Sequence, residues 1–251
     1  MKIYDCTIFK DKPLITNFSK MIMTDRGSQQ INYRNGPLYT DIDFNLLTNY
    51  INSLEGESKV CYDIEAVGNQ DIKIVYKTLL KVIKLSKKLR PDCSFGFYQG
   101  GDRFPAYECG DLDQLSEPTL DNYQIRLMNL SDFVAQSIYP RKSISDENPS
   151  QADLEYLLKY RIWSWHICSR WKKNKVIPVF TTTLHACSTP SKDFVGTLLI
   201  SAQLNLSKKF GQCIWWDGAD WDYNGNYIGN LSWNLANQYL WIINAYLNSK
   251  N

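Results

Sequence analysis

Strand and helix signals alternate from residue 59 onward, the chain runs to 251 residues, and the predicted strands end in carboxylates, tyrosines and tryptophans. These three observations predict an α/β fold: a TIM-like (β/α) barrel, seven or eight mostly parallel strands with outer helices. Alternation of this kind means a parallel sheet covered by helices. A closed barrel takes about 250 residues, and its site lies at the C-terminal ends of the strands. An open doubly wound sheet shares the alternation. No glycine-rich phosphate fingerprint follows any strand, which counts against the nucleotide-binding version of that sheet. Residues 1–251 read as a single barrel domain.

Lys2 to Phe9 alternates and is rich in β-formers, so it is the expected first strand. Residues 10–40 are less regular, with one short strand near Lys20 to Met23. Asp43 to Leu54 carries Phe44, Leu47, Tyr50, Ile51 and Leu54 at helical spacing, with Asp41 or Asp43 as its cap. Lys59 to Ile64 is the next strand. Asp71 to Leu89 follows the 3.6-residue period, and Pro91 stops it. Cys93 to Tyr98 is a strand, Gly100 to Pro118 a long irregular loop, Leu120 to Met128 a short helix and Asp132 to Tyr139 a strand. Ser150 to Lys173 is a long helix capped by Ser150. Val176 to Thr181 is a strand whose Pro178 argues against a central position. Ser191 to Leu206 is a helix, Gln212 to Asp217 a strand, Asp220 to Gly229 a turn-rich loop and Leu231 to Leu247 a final helix.

The formal net charge of +2 argues against nucleic acid as a partner. Lys81 to Arg90 is locally basic, but its charges interleave with apolar residues as on the wet face and last turn of a helix. Seven cysteines, with no CxxC, suggest reduced thiols. No stretch has the form of a signal peptide or a membrane span, so the chain reads as soluble: cytoplasmic, or exported by another route. The two histidines, His166 and His185, lack ligand spacing. No metal and no cofactor are expected. Cys187 beside His185 is the one local candidate for a cysteine nucleophile and reads better as loop. Trp163, Trp165 and Trp171 fall on the long predicted helix, outside a barrel's site, and read as core or subunit contact. The oligomeric state is left open.

Cys61-Tyr62-Asp63-Ile64-Glu65-Ala66 is a buried strand ending in two acids. Strand side chains alternate, so Asp63 and Glu65 point the same way. Two neighbouring carboxylates repel when both ionise, so one keeps its proton to higher pH and supplies the donor that glycosidic cleavage needs. The other predicted strands end in Tyr98-Gln99, in Ser137-Ile138-Tyr139, in Thr181-Thr182-Thr183 and in Trp215-Trp216-Asp217. Acids, tyrosines and tryptophans on one rim suit a sugar. The candidate site is therefore Asp63 and Glu65 as catalytic acids, with Tyr98, Tyr139, Trp215, Trp216 and Asp217 as substrate contacts. Alternation lets only one of Trp215 and Trp216 face inward.

Five stretches in the same order resemble the hyaluronidase-like glycoside hydrolases of venoms and sperm. Tyr62-Asp63-Ile64-Glu65 is similar to that family's Asp-x-Glu strand. Arg90-Pro91 with Phe95-Gly96-Phe97-Tyr98, Ser137-Ile138-Tyr139, Lys175-Val176-Ile177-Pro178 and Gly211-Gln212-Cys213-Ile214-Trp215 resemble four further family stretches. The resemblance implies a retaining hydrolase that cleaves a polysaccharide or other glycan beside an N-acetylhexosamine, without a metal. It implies Glu65 as general acid, the substrate's acetamido oxygen as nucleophile and Asp63 as the group orienting it. Tyr139 would hydrogen-bond near the acetamido group, Trp215 would wall its methyl, and Tyr98 would contact substrate. The chain departs from the family in carrying Gly100 where a tyrosine is usual and in lacking an evident basic groove. Two rival readings stay open: a non-catalytic glycan-binding barrel, and a two-carboxylate, muramidase-like glycosidase using Asp217 or Asp220 with Glu65.

Overall fold

The computed structural model of the protein describes residues 1–7, 9–13, 15, 17–24, 40–65, 70–99, 120–140, 143–145, 147–183, 195–221 and 227–248. The strands are β1 (Lys2–Asp5), β2 (Ser19–Lys20), β3 (Ile22–Thr24), β4 (Lys59–Tyr62), β5 (Ser94–Gln99), β6 (Phe133–Ser137), β7 (Val176–Phe180), β8 (Gln212–Trp215), β9 (Ala219–Trp221) and β10 (Tyr227–Asn230). The helices are α1 (Phe44–Asn52), α2 (Ile72–Leu89), α3 (Asn122–Leu130), α4 (Gln151–Ser169), α5 (Thr197–Phe210), α6 (Trp233–Asn237) and α7 (Leu240–Asn248).

Eight strands form one sheet in the order β2-β1-β8-β7-β6-β5-β4-β3, and every pairing in it is parallel. β2 and β3 stand at opposite ends of that order, yet only Met21 separates them in the chain. They are two halves of one stave. The first half pairs with β1, Tyr4 opposite Ser19, and the second with β4, Ile22 opposite Val60. That shared stave wraps the sheet round into the predicted barrel, with α1, α2, α3, α4 and α5 in the connections. The caps are local chemistry. Asp43 accepts from the Asn45 and Leu46 amides, and Ser150 forms a reciprocal box with Asp153.

Alternation along each stave divides the core in two. Tyr4, Cys61, Phe133, Ala135, Ile177, Val179 and Ile214 fill the lumen together with Met21 and Met23. Their chain neighbours Ile3, Val60, Tyr62, Val134, Phe180 and Trp215 face the helices and join Leu47, Val75, Leu79, Val82 and Leu199 in the outer core. Full burial of one such side chain stabilises the fold by about 1.5–3 kcal/mol. Tyr62 adds a polar anchor, its hydroxyl 2.7 Å from that of Ser86 on α2. Of the tryptophans around α4, Trp163 and Trp171 are buried in this outer core and Trp165 is exposed.

Gly96 of β5 is required by a close approach. A Cβ there would lie 2.5 Å from the Phe133 ring and 2.5 Å from the Phe133 carbonyl oxygen. The ring is itself buried in the lumen, and the carbonyl belongs to the paired stave. Gly96→Ala is expected to cost about 1–3 kcal/mol, the usual range for overpacking, read as a lower urea midpoint at unchanged slope.

Four expectations are corrected. Pro178 sits in a strand paired on both sides. The Val179 carbonyl accepts from Ile138 on the β6 side, and that of Phe180 from Trp216 on the β8 side. By alternation the donor missing at Pro178 faces β8, whose pairing begins only at Val179 opposite Ile214. Asp220 to Gly229 is not all loop, because β9 and β10 pair antiparallel there. The last helix is broken into α6 and α7 around Gln238 and Tyr239. Finally, α5 starts at Thr197, behind a Gly196 whose φ of 89° no helix continues, and ends at the left-handed Gly211. No described helix is long and apolar enough to cross a membrane.

Candidate active site

The C-terminal mouth of the barrel is built from the ends of β4, β5, β6, β7 and β8. Beyond β4 the pairing continues one bond further, from the Asp63 amide to the Thr24 carbonyl at 3.3 Å. Tyr62 and Ile64 are buried in the outer core. Period two therefore turns Asp63 and Glu65 together toward the barrel mouth. Both are partly buried.

On β5, Tyr98 packs against the lumen cluster, and Tyr139 beyond β6 belongs to it. The intervening Ile138 faces outward, and its carbonyl accepts a 2.6 Å bond from the Tyr160 hydroxyl of α4, which fixes the rim behind Tyr139. Burial pushes the Tyr98 hydroxyl well above its ordinary pKa. The Glu65 and Asp63 carboxylates push it the same way, against the nearby Ser137 and Tyr139 hydroxyls. Burial also raises Tyr139, with further contributions from Tyr98, Asp63 and Asp217. One electrostatic neighbourhood thus joins residues from four stave ends, β4, β5, β6 and β8, that lie far apart in sequence. Both tyrosines stay protonated as hydrogen-bond donors at any ordinary working pH.

Trp216 faces inward, packed against the lumen cluster. Trp215 faces the helices. It is fully buried, its ring stacked on Phe180 at 6.0 Å and set edge-on to Phe18 at 5.9 Å, with Trp233 at 5.8 Å. The structure therefore gives the mouth Trp216 and assigns Trp215, the ring expected to wall the substrate methyl, to the outer core. Asp217 lies at the rim but is 5% exposed. Its Oδ2 accepts from the Thr182 amide at 2.7 Å, the Thr182 hydroxyl at 2.6 Å and the Thr183 amide at 3.1 Å. Its Oδ1 accepts from the Gly218 amide at 2.9 Å and from the Thr183 hydroxyl. Five donors occupy roughly four lone-pair sites, so this carboxylate ties the end of β7 to the end of β8 and is not placed to serve as a second acid. The threonine run was visible in the sequence. Its role as donor set for Asp217 was not, because the two segments lie 35 residues apart.

Asp217→Asn turns an amide NH2 toward some of these donors. It is expected to cost about 2–3 kcal/mol in chemical denaturation, while any glycan hydrolysis by the folded fraction stays within a few-fold of wild type. A two-acid mechanism through Asp217 requires a loss above about a hundredfold.

Gly100, the loop to Pro118, His185 and Cys187 lie outside the described residues, and Asp220 falls in β9. Among the described residues no group of three or more His, Cys, Asp or Glu side chains is arranged to hold a metal ion.

Fold and site together define a parallel β/α barrel with paired acids, two protonated tyrosines and an inward tryptophan at its C-terminal mouth. No protein-family model and no curated protein matches the sequence. Among solved structures the chain is similar to bee venom hyaluronidase, at 12% identity and a TM-score of 0.47 over 84% of this chain and 77% of that one. It is similar also to bee venom hyaluronidase in complex with a hyaluronic acid tetramer, at 13% identity and a TM-score of 0.40 over 84% and 76%. The barrel itself rests on the strand pairing described above.

Proposed function

We propose that this mouth hydrolyses a glycan beside an N-acetylhexosamine with retention of configuration. The observation that carries the reading is the pairing of Asp63 and Glu65 on one side of a stave end, with both charges acting on the Tyr98 hydroxyl. Glu65 donates its proton to the glycosidic oxygen as the bond to the anomeric carbon breaks. The substrate's acetamido oxygen attacks that carbon from the opposite face and closes a five-membered ring. Asp63 accepts the acetamido N–H and stabilises the positive charge that develops on it. Water then opens the ring, giving its proton to Glu65, and the two displacements together retain the configuration. Tyr139 and Tyr98 donate to the sugar, and Trp216 offers it an apolar face.

The test is reducing-end release from hyaluronan, chondroitin, chitin oligosaccharides and peptidoglycan, with wild type and Glu65→Gln side by side. Release that disappears in the variant, with a β-configured first product by NMR from a β-linked substrate, supports the reading and selects the substrate. No release from any of the four, with equal glycan binding by both proteins, makes the barrel a binding module.

A further inference from the structure

The opposite, N-terminal mouth of the barrel holds a cavity of about 720 Å³. Its inner wall is made by Tyr4, Met21 and Lys59, with Lys2 and Lys20 further out. Tyr4 is 4% exposed, and its hydroxyl accepts a 3.1 Å bond from the Lys59 Nζ. The same Nζ stands 4.6 Å from the Tyr4 ring centroid and 4.7 Å from that of Phe133, and the Lys2 Nζ is 4.8 Å from the Tyr4 centroid. Two ammonium groups thus converge on one buried phenol. Among the described residues the ion pairs are Lys12–Asp5, Lys87–Asp132 and Arg90–Asp92, so neither Lys2 nor Lys59 has a carboxylate partner there.

The field is positive enough to show on the phenol. Burial raises the Tyr4 pKa, yet the ammonium groups of Lys59 and Lys2 outweigh it and hold the group below its ordinary value. Glu55, Glu57 and Asp92 also line the cavity, all three exposed, and Arg90 already pairs with Asp92 at 2.6 Å. That acidic rim disfavours a long polyanion, while the lysines and the hydroxyl inside suit one compact, multiply charged oxyanion.

We propose that the N-terminal mouth of the barrel is a binding site for a phosphate or sulfate group, held by Lys59, Lys2 and the Tyr4 hydroxyl. The anion is either a free ion or the ester group of a small molecule. This site is separate from the acid–tyrosine mouth and does not depend on the function proposed for it.

The test is calorimetric titration of the whole protein with sodium phosphate, sodium sulfate and glucose 6-phosphate, against sodium chloride at matched ionic strength. The expected result is saturable binding of at least one of the three, with no saturable signal from chloride and a rise in Tm of about 3 °C near saturation. Tighter binding of the ester than of phosphate identifies the small-molecule source, and the reverse order the free ion. Lys59→Gln and Lys2→Gln are each expected to weaken binding about tenfold, and Glu65→Gln to leave it unchanged. Circular dichroism checks that each variant folds. If Lys59→Gln does not fold, Lys2→Gln combined with Lys20→Gln, both on the exposed wall, takes its place. No binding beyond chloride, or undiminished binding in the folded lysine variants, overturns the proposal.

Discussion

Glu65→Gln is expected to lower kcat by about 10²–10⁴-fold, the range that general acid catalysis supplies, with KM within about threefold. Glutamine keeps the side chain's volume and its hydrogen bonding but has no proton to give. A loss confined to kcat marks an interaction made in the transition state; a rise in KM alone would mark a binding residue. The pH profile adds a second readout. In the proposed mechanism the acid works in its protonated form, so activity is expected below its pKa and is expected to be lost as pH rises through it. Tyr98 and Tyr139 are both held well above the ordinary tyrosine value, so neither contributes a limb below about pH 10. An alkaline limb seen below that pH in the wild type belongs to the acid, and the residual rate of Glu65→Gln should be flat across it. Asp63→Asn should lose rate as well, because a neutral amide stabilises the charged acetamido group less, yet it should keep the limb. A limb that survives in Glu65→Gln would move the acid to another residue.

The sequence carried the barrel because its staves and helices obey simple periods. Val60, Tyr62 and Ile64 outward and Cys61, Asp63 and Glu65 inward is a period of two that needs no tertiary information. The α2 stripe of Val75, Leu79, Val82 and Ile83 is equally local. What stayed illegible depends on partners distant in the chain. Ring closure turns on a stave of two short halves whose neighbours, β1 and β4, are set by the rest of the sheet. The break between α6 and α7 carries neither Pro nor Gly to announce it. β9 and β10 are hidden in turn-rich composition. The cavity at the N-terminal mouth brings Tyr4 and Lys59 together across 55 residues, and no local pattern relates them. At the candidate site the acids and tyrosines were legible as strand-end chemistry. The engagement of Asp217 was not, because its donors come from the end of another stave.

The phase of Trp215 and Trp216 is the clearest such case, and it carries the second large effect. Alternation says that one ring faces in, and only the outer neighbours say which. Phe9 and Phe18 from the N-terminal segment and Trp233 from α6 close around Trp215. Trp215→Ala removes a fully buried ring from that cluster and is expected to cost about 3–5 kcal/mol, the range for large-to-small changes at buried aromatics. In a chain of this size that lowers Tm by roughly 10–15 °C. The indole N–H of Trp215 is buried without a hydrogen-bond partner among the described residues. Trp215→Phe removes that unsatisfied donor while keeping a ring, so its cost should be well below that of alanine. Trp216 is only partly buried, so Trp216→Ala should cost about 1 kcal/mol in stability and raise KM for the responsive glycan several-fold, through the lost face for the sugar. Thermal denaturation and steady-state kinetics on the three variants separate the roles. A large KM effect at 215 with little loss of stability, and the reverse at 216, would mean that β8 runs in the opposite phase.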